Sequence, residues 1–405
     1  MSKWEWKKLG EVCDVIAGQS PQSSAYNSEG LGLEFHQGKK AFGKRVIQPS
    51  NVWTKEYSKI AKKGDILMSV RAPVGPVNFT DREICIGRGL AAIRKTGALD
   101  ENFLFYYFIN NESNMTSKAG AVFDSINRSD IQKFIIPVPP LSEQKRIVKF
   151  LDEEFSKIET LKTNAETNLK NAKELFETTL EKELNPQSRH SERSEESSAE
   201  LPSGWELKAL GDVCYRIKRG KAPKYVEQSD VLVFAQKCNQ PDGTMSLEKA
   251  LCLDPSILGK YKAEDYVKEG DVLVNSTGNG TVGRVGFFNN KLLNNKKPVV
   301  PDTHITTIRG LANTFPKYLY YFLKPKESYL SDKSLGTTNM KELHADVLEH
   351  LQIPLPPLSV QKEIVARLDK LSENVKRLEA NYKQIIANCD ELKKSILKKT
   401  FEGES

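Results

Sequence analysis

A chain of 405 residues with 39% hydrophobic residues has room for two or three ordinary cores. No run of eighteen apolar residues exists, so no transmembrane helix is expected, and Met1–Trp6 lacks an apolar leader, which points to the cytoplasm. The six cysteines form no C-x-x-C pair, so they read as reduced buried thiols rather than disulfides or metal ligands. The net charge of +7 is unevenly spread. Residues 1–150 carry +7, 151–200 carry −6, 201–350 carry +4 and 351–405 carry +2. Two basic globular regions suit a polyanion such as nucleic acid, although charges of this size also occur simply for solubility.

Taken in chain order, the elements come twice. Trp4-Glu5-Trp6-Lys7-Lys8-Leu9-Gly10-Glu11-Val12-Cys13 returns as Trp205-Glu206-Leu207-Lys208-Ala209-Leu210-Gly211-Asp212-Val213-Cys214, 201 residues later. Lys63-Gly64-Asp65, leading into Ile66–Ser69, predicts a turn and a buried strand, and Glu269-Gly270-Asp271 with Val272–Asn275 repeats it. Val74-Gly75-Pro76-Val77 parallels Val282-Gly283-Arg284-Val285, and Tyr106-Tyr107-Phe108 parallels Tyr320-Tyr321-Phe322 on a short helix. Then Pro137-Val138-Pro139-Pro140-Leu141-Ser142-Glu143-Gln144-Lys145-Arg146-Ile147-Val148 recurs 217 residues on as Pro354–Val365, identical at nine of twelve positions. A repeat this long is a duplicated domain, and the growing offset gives the second copy about sixteen extra interior residues.

A long helix follows each Pro-x-Pro-Pro. Ser142 and Ser359 stand where an N-cap is wanted, without completing a capping box because Lys145 and Lys362 follow. Leu368, Leu371, Val375, Leu378, Tyr382, Ile385, Cys389, Leu392 and Ile396 form a heptad seam. Ile147, Leu151, Ile158, Leu161, Ala165, Ala172 and Leu175 form a looser one. Neither stripe is stable in water alone, so the two helices are expected to pair, antiparallel, with the globular units at opposite ends. Residues 186–200, with one small apolar residue in fifteen, read as a solvated linker.

Catalytic motifs are absent. Gly278-Asn279-Gly280-Thr281-Val282-Gly283 fits a dinucleotide pattern, but the strand-like Arg284–Phe288 follows instead of a helix, so it reads as a hairpin turn. Neither Pro241-Asp242 nor Pro301-Asp302 is followed within thirty residues by an acidic-x-Lys triplet, and the five histidines have no partner at catalytic or metal spacing. What remains is binding chemistry: amide, hydroxyl and cationic residues in loops, the side chains that read base edges and grip phosphates. In the first unit these are Gln19, Gln37, Lys39, Lys40, Lys44, Arg45 and Arg71. In the second they are Lys218, Arg219, Lys221, Lys224, Lys237, Asn239, Asn275, Thr277, Asn279 and Arg284.

The Trp…Leu-Gly-x-Val openings, the Pro-Pro-Leu-Ser-x-Gln-Lys-x-Ile-Val helix starts, Leu201–Trp205 and Thr400–Glu404 together resemble the specificity subunit of Type I restriction–modification enzymes. The resemblance covers the whole chain and implies a mixed α/β (α+β) fold. It places target-recognition domains at 1–140 and 201–357, helical spacers at 141–185 and 358–405, and a linker at 186–200. It also implies a chain with no catalysis and no metal or cofactor of its own, reading a bipartite duplex DNA target. The expected partners are methyltransferase subunits using S-adenosylmethionine and translocase–nuclease subunits using ATP and Mg2+. Val360 in place of Glu143, and a first helix ending without the Phe-x-Gly of 401–403, depart from that pattern. Fused recognition and catalysis, or a coiled-coil scaffold with no DNA role, are the competing classes.

Overall fold

The computed structural model describes every residue except 1–3, 58, 113–116, 119, 120, 123, 124, 186–200, 241–243, 292–295, 338, 339 and 403–405. The linker and the chain's last three residues thus lie outside the described residues. Two compact units emerge, one from residues 1–167 with 382–405, the other from 168–381. Each long helix, Leu141–Leu184 and Leu358–Glu402, contributes a segment to both.

The first unit centres on an antiparallel sheet ordered Cys13–Ala17, Leu90–Lys95, Ile66–Ser69, Val77–Phe79. A second sheet contains one parallel pair, Leu33–His36 beside Ile84–Ile86. The second unit repeats both: Cys214–Arg219, Ile305–Gly310, Val272–Asn275, Val285–Phe287, and a parallel pair of Leu232–Phe234 with Val299–Pro301. The Trp-containing openings become the edge strands Glu5–Lys8 and Glu206–Ala209, paired with Ile135–Val138 and Gln352–Leu355. The architecture is mixed α/β, with two sheet-rich domains and long helices.

The repeated Gly-Asp turns explain themselves chemically. Asp65 accepts the Lys62 N–H at 2.7 Å and a two-pronged guanidinium from Arg94 at 2.9 and 2.7 Å. Asp271 does the same with the Lys268 N–H at 2.8 Å and Arg309 at 2.6 Å twice. Glycine is required at Gly18 and Gly220, where a Cβ would stand 2.2 Å from the Gly87 carbonyl oxygen and 2.1 Å from that of Pro301. That close approach seats the end of the first strand of each central sheet against its neighbouring turn.

A buried glutamine pins each long helix to its own domain. Gln144 accepts the Asp100 N–H at 2.7 Å and donates to the carbonyls of Pro139 at 2.8 Å and Ala98 at 3.3 Å. Gln361 accepts the Phe315 N–H at 2.8 Å and donates to Pro356 at 2.8 Å and Asn313 at 3.1 Å. Both helices begin one residue before the expected serine caps. Pro140 and Pro357 take the capping place, their carbonyls accepting Gln144 and Gln361 N–H at 3.0 Å, so Ser142 and Ser359 sit inside the first turn. A tyrosine–aspartate bond adds a second tie: Tyr106 donates to Asp152, and Tyr321 to Asp369 at 2.5 Å. Tyr321 rather than Tyr320 thus corresponds to Tyr106, one place from the sequence pairing and in step with Asp100 and Phe315, whose N–H groups meet the two glutamines.

The helices pair antiparallel within each unit. In the first, Lys393 bonds Glu159 at 2.7 Å and Lys162 bonds Asp390 at 2.7 Å; in the second, Arg367 bonds Glu183 at 2.6 Å. Ile147, Leu151, Ile158 and Ala165 are buried in one unit; Leu180, Leu184, Ile364, Val365 and Leu368 are buried in the other. The expected seam is not fully covered. Leu161, Leu175, Leu378, Ile385 and Leu392 stay exposed, because two helices shield a narrower stripe than their apolar positions span.

Candidate nucleic-acid interface

Equivalent backbone hydrogen bonds define corresponding positions in the two units. Val70 N–H bonds the Gly89 carbonyl at 3.0 Å, and Ser276 N–H bonds that of His304 at 2.7 Å. Gly75 N–H meets Ser69 at 3.0 Å, and Gly283 N–H meets Asn275 at 2.8 Å; Ile126 N–H meets Val70 at 3.0 Å, and Leu343 N–H meets Ser276 at 2.8 Å. Bridges join Arg71 to Ser125 and Thr277 to Glu342. Arg71 therefore corresponds to Thr277, Arg88 to Thr303 and Gly89 to His304.

In the first unit these positions line a cleft of about 180 Å³ with Gln37, Lys39 and Ser69. Arg71 leaves the end of strand Ile66–Ser69, where Ser69 Oγ donates to the Arg71 carbonyl at 3.1 Å. Arg88 tops the Gly87–Gly89 turn, its N–H held by Ser20 Oγ at 3.2 Å, and Gln19 N–H bonds Ile86 O at 2.9 Å beside it. Gln37, Lys39, Lys40, Arg71 and Arg88 are exposed. Among the described residues, Lys39, Lys40, Arg71 and Arg88 have no ion pair, so their charges are available to a ligand.

Lys44 and Arg45 do not join this cleft. Lys44 pairs with Glu159 at 2.5 Å. Arg45 bonds Asn102 at 2.7 Å, Tyr106 at 3.0 Å and Asp152 at 3.0 Å, with its guanidinium over Phe79, Phe105 and Tyr106. Lys393 and Lys44 hold the Glu159 carboxyl down at about 2. These cations fasten the domain to its helix.

The second unit treats its cations differently again. Arg219 bonds Glu342 at 2.5 Å and the Ser276 carbonyl at 3.2 Å. Lys221 bonds Asp265 and the Lys260 carbonyl, both at 2.5 Å, and Lys224 pairs with Asp254 at 2.7 Å. Burial favours the neutral form of Asp265, but Lys221, the Lys262 N–H and Arg216 outweigh it and hold the carboxyl at about 2. Lys224 and Ser256 hold Asp254 at about 2. Asn239 and Asn275 are buried and bond each other at 2.8 Å; Asn275 also donates to the Gln236 carbonyl at 3.2 Å, and Arg284 to that of Asn239 at 2.7 Å. The two asparagines shape the turn around Gln236 from inside the fold, and Arg284 is half-buried beside them. Lys218, Lys237 and Asn279 are exposed. Thr277 Oγ1 and His304 Nδ1 meet at 2.5 Å, and the buried Asp302, whose pKa burial raises, accepts the His304 N–H at 2.8 Å. The Gly278–Gly283 segment is a turn between antiparallel strands, as the absence of a following helix predicts.

Sequence reasoning missed Arg88 and Ser69 as lining residues, and His304 as the counterpart of the cleft's Gly89. Only the isolated Gly-Arg-Gly ahead of a strand signalled Arg88. Among the described residues, no group of three or more His, Cys, Asp or Glu could hold a metal, and no helix is long and apolar enough to cross a membrane.

The model of a family described as Type I restriction modification DNA specificity domain matches residues 1–171 and 202–387. The chain is 24% identical over 425 residues to the type I restriction enzyme MjaIX specificity subunit of Methanocaldococcus jannaschii, covering 99% of this chain and 93% of that one. It is 44% identical over 153 residues to a candidate MjaX specificity subunit of the same organism, a match spanning only 36% of either chain. Among solved structures, the HsdS subunit from Thermoanaerobacter tengcongensis superposes with a TM-score of 0.62 at 21% identity, covering 100% of this chain and 98% of that one. A chain from work on complex assembly of the type I restriction–modification system superposes at 0.75 with 22% identity, covering 100% and 99%.

Proposed function

Because the chain belongs to the Type I restriction–modification DNA specificity family, as a non-catalytic recognition subunit, we propose that each unit reads one half of a bipartite, asymmetric duplex target. One observation carries this: the two units share a hydrogen-bonded frame residue for residue, yet the positions around the first unit's cleft carry Arg71, Arg88 and Gly89, and the second unit has Thr277, Thr303 and His304 there. A duplicated module that must read two different sequences keeps its frame and varies its reading surface. Methyltransferase subunits using S-adenosylmethionine, and ATP- and Mg2+-dependent translocase–nuclease subunits, supply the chemistry. Exposed apolar side chains on the long helices, Leu161, Ile385 and Leu392 in one unit and Leu175 and Leu378 in the other, offer those partners a surface.

The test is an exchange of residues 14–136 for those of another family member, with methylated sites mapped in the reconstituted complex. One half of the target is expected to change and the other to stay. A change in both halves would overturn the independent-unit reading.

A further inference from the structure

We infer that Arg71 is the guanine-reading side chain of the first unit, with Arg88 the second guanidinium of the same cleft, and that in the second unit, where Thr277 and Thr303 stand at those two positions, Thr277 and the adjacent His304 present a different reading pair. The inference rests on the bipartite reading above and names its residues. Both arginines leave tightly held backbone. Arg71 follows Ser69, whose hydroxyl bonds the carbonyls of Arg71 and Pro73, each at 3.1 Å. Arg88 sits on a turn that cannot shift toward its neighbour, because a Cβ at Gly89 would stand 2.2 Å from the Gln37 carbonyl oxygen. Fixed Cα positions with exposed guanidiniums that have no ion pair among the described residues suit a planar ligand with two adjacent acceptors. Guanine O6 and N7 present that pair in the major groove, and arginine binds them with both prongs. The corresponding place in the second unit is built otherwise. His304 N–H bonds the Asp302 carboxylate at 2.8 Å, the imidazole meets Thr277 Oγ1, and the nearby Arg219 is tied to Glu342. A hydroxyl–imidazole pair lacks the arginine fork and selects a different base.

The experiment uses the full chain assembled with its methyltransferase subunits on a randomised duplex library, with methylated sites sequenced and binding measured across salt concentrations. R71Q is expected to reduce preference for guanine at one position of one half-site by roughly 5- to 150-fold, leaving the other half intact. T277A should alter only the opposite half. Neither side chain is buried, so melting temperatures should match wild type. If R71Q keeps base preferences and instead weakens all sequences evenly, with a salt slope shallower by about one, Arg71 grips a phosphate and the inference fails. If R71Q changes nothing while exchange of 14–136 still alters one half-site, the inference fails and the bipartite reading stands. If the exchange also changes nothing, that reading falls too.

Discussion

The two units of this chain build one frame and use their charge in opposite ways. In the first, Lys39, Lys40, Arg71 and Arg88 have no ion pair among the described residues, while Lys44 and Arg45 are consumed by acids of the long helix. In the second, Arg219, Lys221 and Lys224 are each matched by an acid of the same unit, and among the described residues only Lys218 and Lys237 of the predicted cations are both exposed and without an ion pair. Net charge therefore overstates what a domain can offer a polyanion. A cation counts toward DNA only when the fold has not already spent it.

The shared frame yields the largest expected effect. Asp271 is 1% exposed with Arg309 at 9%, whereas Asp65 at 4% holds an Arg94 that is 31% exposed. Asp271→Asn strands a buried guanidinium and should cost about 3–5 kcal/mol in urea unfolding. Asp65→Asn should cost less, since water reaches Arg94. Equal losses would show that the two frames are energetically the same despite their burial.

Next come the glutamines. Each buried side-chain amide makes three bonds, so Gln144→Ala and Gln361→Ala should each cost about 1–3 kcal/mol, with hydrogen exchange quickening in the first turn of the adjoining helix. Here the units should agree, because their bond sets match. A clear disparity would break the duplication at its strongest point.

These features mark where sequence stops being legible. The repeat, the paired helices and the α/β class were visible because they are written in adjacent residues and regular spacing. Gln144 was visible as a letter of the repeat but not as an anchor, since one partner, Ala98, lies 46 residues away. Ser142 was mistaken for a cap because a proline carbonyl can fill that place unaided. Lys44 and Arg45 looked like part of a basic patch because Glu159 and Asp152 are 115 and 107 residues distant. Arg88 was overlooked because a lone arginine between glycines has no pattern to declare it.

Acid should separate the units more gently. Asp265 titrates at about 2 in the folded protein against 3.8 for the unperturbed group. A depressed carboxylate contributes stability that is complete above the unfolded pKa and lost as pH falls through the folded one. The second unit should therefore lose this contribution between about pH 4 and pH 2. Asp265→Asn should flatten unfolding free energy against pH across that window, and an unaltered slope would remove the Lys221–Asp265–Arg216 cluster from the account.

The smallest effect bears most directly on free and spent charge. Lys39 is exposed at the cleft with no ion pair among the described residues, whereas Lys224 is held by Asp254 at 2.7 Å. Each phosphate contact contributes close to one unit to the slope of log affinity against log salt. Lys39→Ala should make that slope shallower by about one, with target sequence unchanged. Lys224→Ala should leave it as it is, because removing that cation frees an acid and surrenders no phosphate contact. Matching losses in the two variants would mean that DNA competes Asp254 away from Lys224. The ion pairs of the second unit would then be a resting arrangement of its binding surface, and its cations would count in full.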